Sequence, residues 1–158
     1  MTKKIIFSSG GTGGHILPAI NLMKHFLSKG YKVILVTDHR GSSFVIDNKE
    51  IKSYIIKAET ITKKNIFRKI LSLIAIIFSI FQSILILKKE KADMIIGFGG
   101  YVSFPISFAS CFFKVPLIAY ENNLVLGRTN KYLLPILSKL IISKKILDNF
   151  SSKYKKKI

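Results

Sequence analysis

The chain has 158 residues, 49% of them hydrophobic and 11% aromatic, which supplies a core for one domain and excludes a disordered protein. Its net charge of +18 comes almost entirely from lysine, whereas nucleic-acid readers favour arginine, so we expect no nucleic-acid partner but an anionic membrane surface or phosphorylated substrates. The single cysteine, Cys111, excludes a disulfide framework and fits a reducing cytosol.

A dense glycine run follows the first predicted strand. Residues 4–7 form a short apolar strand pattern, and residues 18–29 form a helix pattern that Gly30 closes. Between them, residues 8–15 hold four glycines within six positions and end on His15. A strand-to-helix turn of this kind presents backbone N–H groups and the positive end of a helix to a ligand, most often a phosphate. We therefore predict a phosphate-binding loop here.

Two familiar phosphate loops do not fit this run. The dinucleotide fingerprint requires a third glycine where Ile16 stands, and the nucleotide loop of the Walker type requires Gly-Lys-Ser/Thr where Gly14-His15 stands. One observation keeps a dinucleotide as an alternative, because Asp38 follows the second predicted strand where a ribose-binding acid is expected. A glycine-rich turn without any ligand is the other alternative.

The remaining patterns alternate between strands and helices. Pro105 suits the first turn of a helix, and the last predicted helix ends in the lysines at positions 155–157. The alternation predicts an α/β fold, a Rossmann-like parallel sheet with helices on both faces, in one domain over residues 1–158. The predicted strands are 33–37, 53–56, 93–98, 115–120 and 140–142, and the predicted helices are 70–87, 105–113 and 129–137.

The helix at residues 70–87 is unusual because it contains no charge. Arg68 and Lys69 precede it and Lys88 and Lys89 follow it, and its length is near the minimum for a membrane span. A strand of the same sheet follows almost at once, which argues against a span. We predict a helix that packs on the sheet and turns an apolar outer side toward lipid, with the lysines at the headgroups. The alternative is a fully buried crossover helix.

Three polar loops are expected to meet at one edge of the sheet. They are the first glycine loop (residues 8–15), a second glycine loop (residues 97–101) and the Glu121 loop (residues 121–130). Each follows a predicted strand, and the carboxyl ends of parallel strands lie at the same edge. Two glycine loops, a histidine, a carboxylate and amides suit a phosphorylated, hydroxyl-rich ligand. No cluster of His, Cys and Asp has metal-ligand spacing, so we expect no metal and no cofactor.

Together these loops resemble the MurG family of N-acetylglucosaminyltransferases, which complete the lipid-linked disaccharide of peptidoglycan. The run 10–15 matches the family's first glycine loop, and the run 97–103 resembles its second. Residues 120–123, Tyr-Glu-Asn-Asn, are similar to its His-Glu-Gln-Asn motif, and residues 129–131 match the Thr-Asn-Lys that follows. The order and spacing agree over nearly the whole chain.

The resemblance implies one half of a two-domain, GT-B-type inverting glycosyltransferase at the cytoplasmic face of the inner membrane. The family's N-terminal half holds the undecaprenyl-diphosphate-linked muramyl-pentapeptide, and its C-terminal half binds most of the UDP-N-acetylglucosamine. We expect this chain to be the N-terminal half, inactive without a C-terminal domain in cis or in trans. A non-catalytic subunit that recruits a separate sugar-donor protein to the membrane is the competing hypothesis.

The resemblance also assigns roles to individual residues. His15 and Glu121 are the candidate catalytic groups, and either is a candidate base for the acceptor hydroxyl; alternatively, Glu121 orients His15, or it is an exposed loop charge. The residues carried over as contacts of the sugar donor are Thr12, Gly13, Gly14 and Asn123. The residues carried over to the acceptor diphosphate are Gly99, Gly100 and Tyr101.

Overall fold

The computed structural model describes residues 2–45, 50–58, 66–143 and 150–158. Six strands and five α-helices alternate along these residues, with two short 3-10 helices. In chain order they are β1 (Lys4–Ser8), α1 (Gly13–Ser28), β2 (Lys32–Thr37), α2 (His39–Ser42), a 3-10 helix (Ser43–Val45), β3 (Lys52–Ile55), α3 (Ile66–Glu90), β4 (Met94–Gly97), α4 (Gly100–Phe113), β5 (Leu117–Glu121), α5 (Arg128–Leu133), β6 (Lys139–Ile142) and a 3-10 helix (Ser152–Lys157).

The strands form one parallel sheet in the order β3-β2-β1-β4-β5-β6. The strand order reverses between β1 and β4. These two strands are neighbours in the sheet, although β2 and β3 lie between them in the chain. Their carboxyl ends are in register, with Ser8 opposite Gly97. The two glycine loops therefore leave the sheet side by side at its switch point, the usual ligand position in such sheets.

Alternating strand residues build a core on each face of the sheet. On β1, Ile6 packs into the cluster that α3, α4 and α5 cover, whereas Ile5 and Phe7 pack into the cluster under α1. Each of these three side chains is at most 1% exposed. The predicted parallel sheet with helices on both faces is confirmed.

Three predicted helix starts are wrong. Helix α3 begins at Ile66 and not at residue 70, and it ends at Glu90. Helix α1 begins at Gly13 and not at residue 18, and α4 begins at Gly100 and not at residue 105. Pro18 and Pro105 therefore lie one turn inside their helices, where each removes one backbone bond near the helix start. The true starts of α1 and α4 lie within the glycine loops, which extends these helices directly into the predicted site. The predicted helix 129–137 ends early, at Leu133.

The outer side of α3 is apolar and its inner side carries serines. Ser79 and Ser83 are buried and donate to backbone carbonyls, Ser79 to Lys57 and Ala75 and Ser83 to Ser79. The ten apolar side chains on the opposite side are 48–72% exposed. The alternative of a fully buried crossover helix is therefore wrong. The exposed set is Ile66, Phe67, Ile70, Leu71, Leu73, Ile74, Ile77, Phe78, Phe81 and Leu85.

Helix α3 ends on a buried carboxylate at the amino edge of the sheet. Glu90 is 5% exposed and accepts hydrogen bonds from Lys52, Tyr54 and Lys4, the last at 2.9 Å. Burial alone would raise the pKa of Glu90, but the hydrogen bonds from Lys52, Tyr54 and Lys4 outweigh it and lower that pKa to about 2. The cluster fixes the end of α3 to β1 and β3.

We expect Glu90→Gln to lower the free energy of unfolding by about 2–3 kcal/mol at neutral pH. Because the pKa of Glu90 is lower in the folded chain, its stabilisation is complete above its ordinary value of 4.5 and disappears as the pH falls toward about 2. Chemical denaturation at several pH values measures the effect. The difference between the two proteins should shrink at low pH, and a difference that does not change with pH would contradict the assignment.

Candidate functional site

The first glycine loop carries the chain from β1 to the exposed first turn of α1. Thr12 is the N-cap residue, and its carbonyl accepts the backbone N–H of His15 at 2.9 Å and of Ile16 at 3.1 Å. Gly13 and Gly14 lie exposed in this first turn, with helical backbone angles. A Cβ on Gly14 would have no atom within 4 Å, and one on Gly13 would reach only Leu17 at 3.9 Å. Both positions therefore face open space.

We expect Gly14→Ala to abolish phosphate-ligand binding and to leave the thermal stability nearly unchanged. The added Cβ meets no protein atom, so it occupies the space that a closely approaching ligand requires. Calorimetric titration with inorganic pyrophosphate, together with a thermal melt, measures both effects, and Gly13→Ala should behave in the same way. Binding at the original affinity would contradict a phosphate loop.

The second glycine loop adopts a backbone that only glycine accepts easily. Gly99 and Gly100 have φ values of +80° and +75°, and Gly100 begins α4. Ser103, in the first turn of α4, donates to the Gly99 carbonyl at 2.7 Å and to the Ser8 carbonyl at 2.8 Å. This hydroxyl fastens the two glycine loops to each other.

The His15 imidazole lies against the second glycine loop. A Cβ built on Gly99 would lie 3.6 Å from His15 Cε1, and one on Gly100 would lie 3.7 Å from His15 Cδ2. The ring is half-buried. The histidine predicted from the first loop thus lies between the starts of two helices, where both helix dipoles favour an anion.

Glu121 is buried, so its interpretation as an exposed loop charge is wrong. It is 2% exposed, and its two carboxylate oxygens accept four hydrogen bonds from within its own loop. Asn123 donates to Oε1 from its backbone N at 3.0 Å and its side-chain Nδ2 at 2.7 Å. Gly127 N donates to Oε2 at 2.8 Å, and Asn130 Nδ2 donates to it at 3.0 Å. The carboxylate therefore shapes the loop that holds Asn123.

The Glu121 loop also contacts the second glycine loop. Thr129 Oγ1 donates to the Gly100 carbonyl at 3.0 Å. A Cβ built on Gly99 would lie 3.6 Å from Asn130 Nδ2 and 3.6 Å from His15 Cε1. The three loops predicted to meet at one edge of the sheet do so, with His15 and Asn130 both beside Gly99.

Sequence reasoning missed a cluster of three residues beside the first glycine loop. Tyr101 Oη donates to Asp38 Oδ2 at 2.8 Å, and Arg40 donates to the same oxygen from Nε at 3.3 Å and to Tyr101 Oη from Nη2. Asp38 Oδ1 accepts the Gly41 backbone N–H at 2.9 Å. The rarity of arginine in this chain was the available signal for Arg40.

The Asp38 cluster bears on two expectations from the sequence. Both Asp38 oxygens are occupied by protein hydrogen bonds, and although burial would raise its pKa, bonds from Gly41, Tyr101 and Arg40 lower it. The carboxylate is thus ionised and engaged, which disfavours the dinucleotide alternative that needed it for a ribose. The Tyr101 hydroxyl donates to Asp38, and the expected contact of Tyr101 with the acceptor diphosphate stays a prediction.

Within the described ranges, no three His, Cys, Asp or Glu side chains lie together as metal ligands would. The loops supply N–H groups, a histidine and amides. Their arrangement can bind an anion at two helix starts and place an imidazole beside it.

Residues 5–142 match the glycosyltransferase family 28 N-terminal domain. Two curated relatives are the UDP-N-acetylglucosamine–N-acetylmuramyl-(pentapeptide) pyrophosphoryl-undecaprenol N-acetylglucosamine transferases of Pelagibacter ubique and Rickettsia felis. The first is 37% identical over all of this chain and 44% of its own length. The second is 36% identical over 99% of this chain and 42% of its own length. The chain thus spans less than half the length of these relatives.

Solved structures agree on the fold. The crystal structure of Acinetobacter baumannii MurG superposes with a TM-score of 0.82 at 26% identity, over 94% of this chain and 44% of that one. Arabidopsis thaliana UGT89C1, complexed with quercetin, superposes with a TM-score of 0.63 at 12% identity, over 90% of this chain and 43% of that one. The second likeness concerns the fold alone. The Rossmann-like half of a GT-B glycosyltransferase, expected from the sequence, is confirmed.

Proposed function

Because the chain belongs to glycosyltransferase family 28, whose N-terminal domain it matches from residue 5 to residue 142, we propose that it is the acceptor-side half of an inverting N-acetylglucosaminyltransferase. The sugar donor is UDP-N-acetylglucosamine, and the acceptor is the undecaprenyl-diphosphate-linked muramyl-pentapeptide of peptidoglycan synthesis. The names of the relatives from Pelagibacter and Rickettsia support both substrates. The observation that carries the proposal is the position of His15 between the two glycine loops.

His15 is the proposed base. It takes the proton of the muramyl 4-hydroxyl while that oxygen forms a bond to the anomeric carbon of N-acetylglucosamine. The bond from the anomeric carbon to the phosphate oxygen breaks, and UDP leaves with the electron pair from the opposite side, which inverts the anomeric centre. Thr12, Gly13 and Gly14 lie exposed next to His15, where they contact the sugar donor.

Glu121 is proposed as a positioning residue and not as the base. The four hydrogen bonds that its carboxylate accepts all come from its own loop, and the carboxylate is almost fully buried. The Glu121 carboxylate holds Asn123, an exposed residue that contacts the sugar donor. Glu121→Gln must turn an amide N–H₂ toward two of these N–H groups, so it should lower transfer through the loop.

Gly99 and Gly100 are proposed to bind the acceptor diphosphate. Their positive φ values turn the backbone at the start of α4, and α4 has 14 residues, long enough for a substantial dipole. The Gly100 carbonyl accepts from Thr129, which orients this peptide group. The diphosphate then lies across the starts of α1 and α4.

The exposed side of α3 is proposed to lie on the cytoplasmic leaflet, as expected of a peripheral protein. In the described part of the chain, α3 is the helix that is long and apolar enough to cross a bilayer, but it packs along α4 and is fixed at Glu90. Phe108 and Phe112 of α4 are exposed as well. Lysines at both ends of α3 suit anionic headgroups.

The sugar donor's nucleotide is proposed to bind to a C-terminal domain, in cis or in trans. The relatives are more than twice as long as the segment that this chain matches. Holding both substrates together is worth roughly 7–11 kcal/mol of the barrier, and loops that hold the acceptor alone do not supply it.

The test is to compare the 158-residue chain with a fusion to the C-terminal domain of the Pelagibacter relative. We expect no transfer of labelled N-acetylglucosamine by the chain, none by the C-terminal domain, and turnover by the fusion or the mixture. Robust transfer by the chain alone would contradict the proposal that the sugar donor's nucleotide binds to a C-terminal domain. A soluble, folded fusion without turnover would favour the competing hypothesis of a non-catalytic recruiting subunit.

A further inference from the structure

Arg40, like His15, contacts both glycine loops. A Cβ on Gly11 would lie 2.4 Å from Arg40 Cβ, so the arginine packs directly against the first loop. Its guanidinium contacts Tyr101, which follows Gly100 in the second loop, and its carbon Cζ lies 5.9 Å from the Tyr101 ring centre. Arg40 thus touches both loops.

The guanidinium is held in place and still faces solvent. Asp38 Oδ2 accepts from Nε and Nη2, and Tyr101 Oη accepts from Nη2, which leaves Nη1 without a hydrogen-bond partner among the described residues. The side chain is 60% exposed although three hydrogen bonds to the cluster anchor it. An arginine fixed on one side by a carboxylate and open on the other is suited to bind a phosphate oxygen.

The cluster is built to keep this cation charged and oriented. The hydrogen bond to Tyr101 and the bonds and charge of Asp38 raise the pKa of Arg40 further above its ordinary value. Burial and the Asp38 carboxylate raise the pKa of Tyr101, which therefore stays protonated and donates to Asp38. Asp38 is itself anchored by Gly41 N–H. The guanidinium therefore keeps its position before any ligand arrives.

We infer that Arg40 binds one phosphate of the acceptor's diphosphate, with Asp38 and Tyr101 as its positioning residues. The inference rests on the proposed function, because it extends the anion site at the starts of α1 and α4 toward β2. Two phosphates linked by one oxygen need two groups of N–H donors. The helix starts beside His15 supply one, and Arg40 supplies the other.

The experiment is calorimetric titration of the 158-residue chain with inorganic pyrophosphate at low ionic strength. We expect Arg40→Gln to weaken pyrophosphate binding at least about tenfold, the usual scale for a lost charged hydrogen bond. Arg40→Lys keeps the charge but lacks the planar set of guanidinium N–H groups, so it should weaken pyrophosphate binding less than Arg40→Gln does. Lys24→Gln removes the same charge from an exposed position on α1 and should bind as the unaltered chain does.

Tyr101→Phe tests whether Tyr101 acts by positioning Arg40 or only by supporting the fold. We expect it to weaken pyrophosphate binding several-fold in the unaltered chain and to have no further effect when combined with Arg40→Gln. Equal affinities for Arg40→Gln and the unaltered chain, or no pyrophosphate binding by the unaltered chain, would overturn the inference. The proposed function is judged separately, since turnover by the fusion with an unchanged acceptor KM in Arg40→Gln would reject the role of Arg40 alone.

Discussion

His15→Ala is expected to lower kcat of the fused enzyme by at least about a hundredfold, the lower range for a general base. The acceptor KM should change much less, because we propose that the glycine loops and not the imidazole provide most of the diphosphate binding. Loss of the ring removes no core packing, since His15 is half-buried at the loop edge. Steady-state kinetics with a soluble acceptor and UDP-N-acetylglucosamine measure the two constants separately.

His25→Ala is the matched control for this substitution. His25 lies in the last turn of the same helix and is exposed, so its removal should leave kcat unchanged. An unchanged kcat in His15→Ala would reject the imidazole as the base. A rise in acceptor KM with kcat unchanged would move His15 from proton transfer to substrate binding.

Replacing Ile74 and Phe78 together by glutamate should abolish vesicle binding. These side chains are 56% and 51% exposed on the outer side of α3, one turn apart. The unaltered chain should bind anionic vesicles, and added salt should weaken binding because each surface lysine contributes about 1 kcal/mol. Two carboxylates at the centre of the apolar side oppose both the burial in lipid and the attraction of the lysines. Vesicle sedimentation at several salt concentrations measures the change.

Ile141→Glu provides the control for membrane binding. Ile141 is 41% exposed on β6, and its neighbours Leu140 and Ile142 pack into the cluster on the α3 side. The Ile141→Glu variant should bind vesicles as the unaltered chain does. Equal binding by the double variant would contradict a lipid-facing α3, and a chain that stays in the pellet after carbonate extraction would favour a membrane span.

The sheet and its loop edge were predictable because parallel strands buried on both faces read as short apolar runs. Each glycine loop directly follows such a run, so its place at the carboxyl edge follows from the strand before it. The helix starts were not predictable in the same way. Pro18 and Pro105 were placed in first turns, whereas the helices begin one turn earlier at Gly13 and Gly100.

The features that could not be predicted depend on contacts between residues that are far apart in the chain. Tyr101 and Arg40 are 61 positions apart and meet only because β2 and α4 lie on neighbouring parts of the sheet. The burial of Glu121 depends on Gly127 and Asn130 folding back over it, which no local pattern indicates. The apolar surface of α3 was predictable, since its few polar residues are too small to form a solvated face.

The most direct test of the acceptor-side assignment is to titrate the unfused 158-residue chain with three ligands in parallel. They are a soluble diphosphate-linked muramyl-pentapeptide, UDP-N-acetylglucosamine and NAD. The diphosphate-linked acceptor should bind at least about tenfold more tightly than the UDP-sugar, a difference of about 1.4 kcal/mol, and NAD should not bind. Tighter binding of the UDP-sugar or of NAD than of the acceptor would contradict the account.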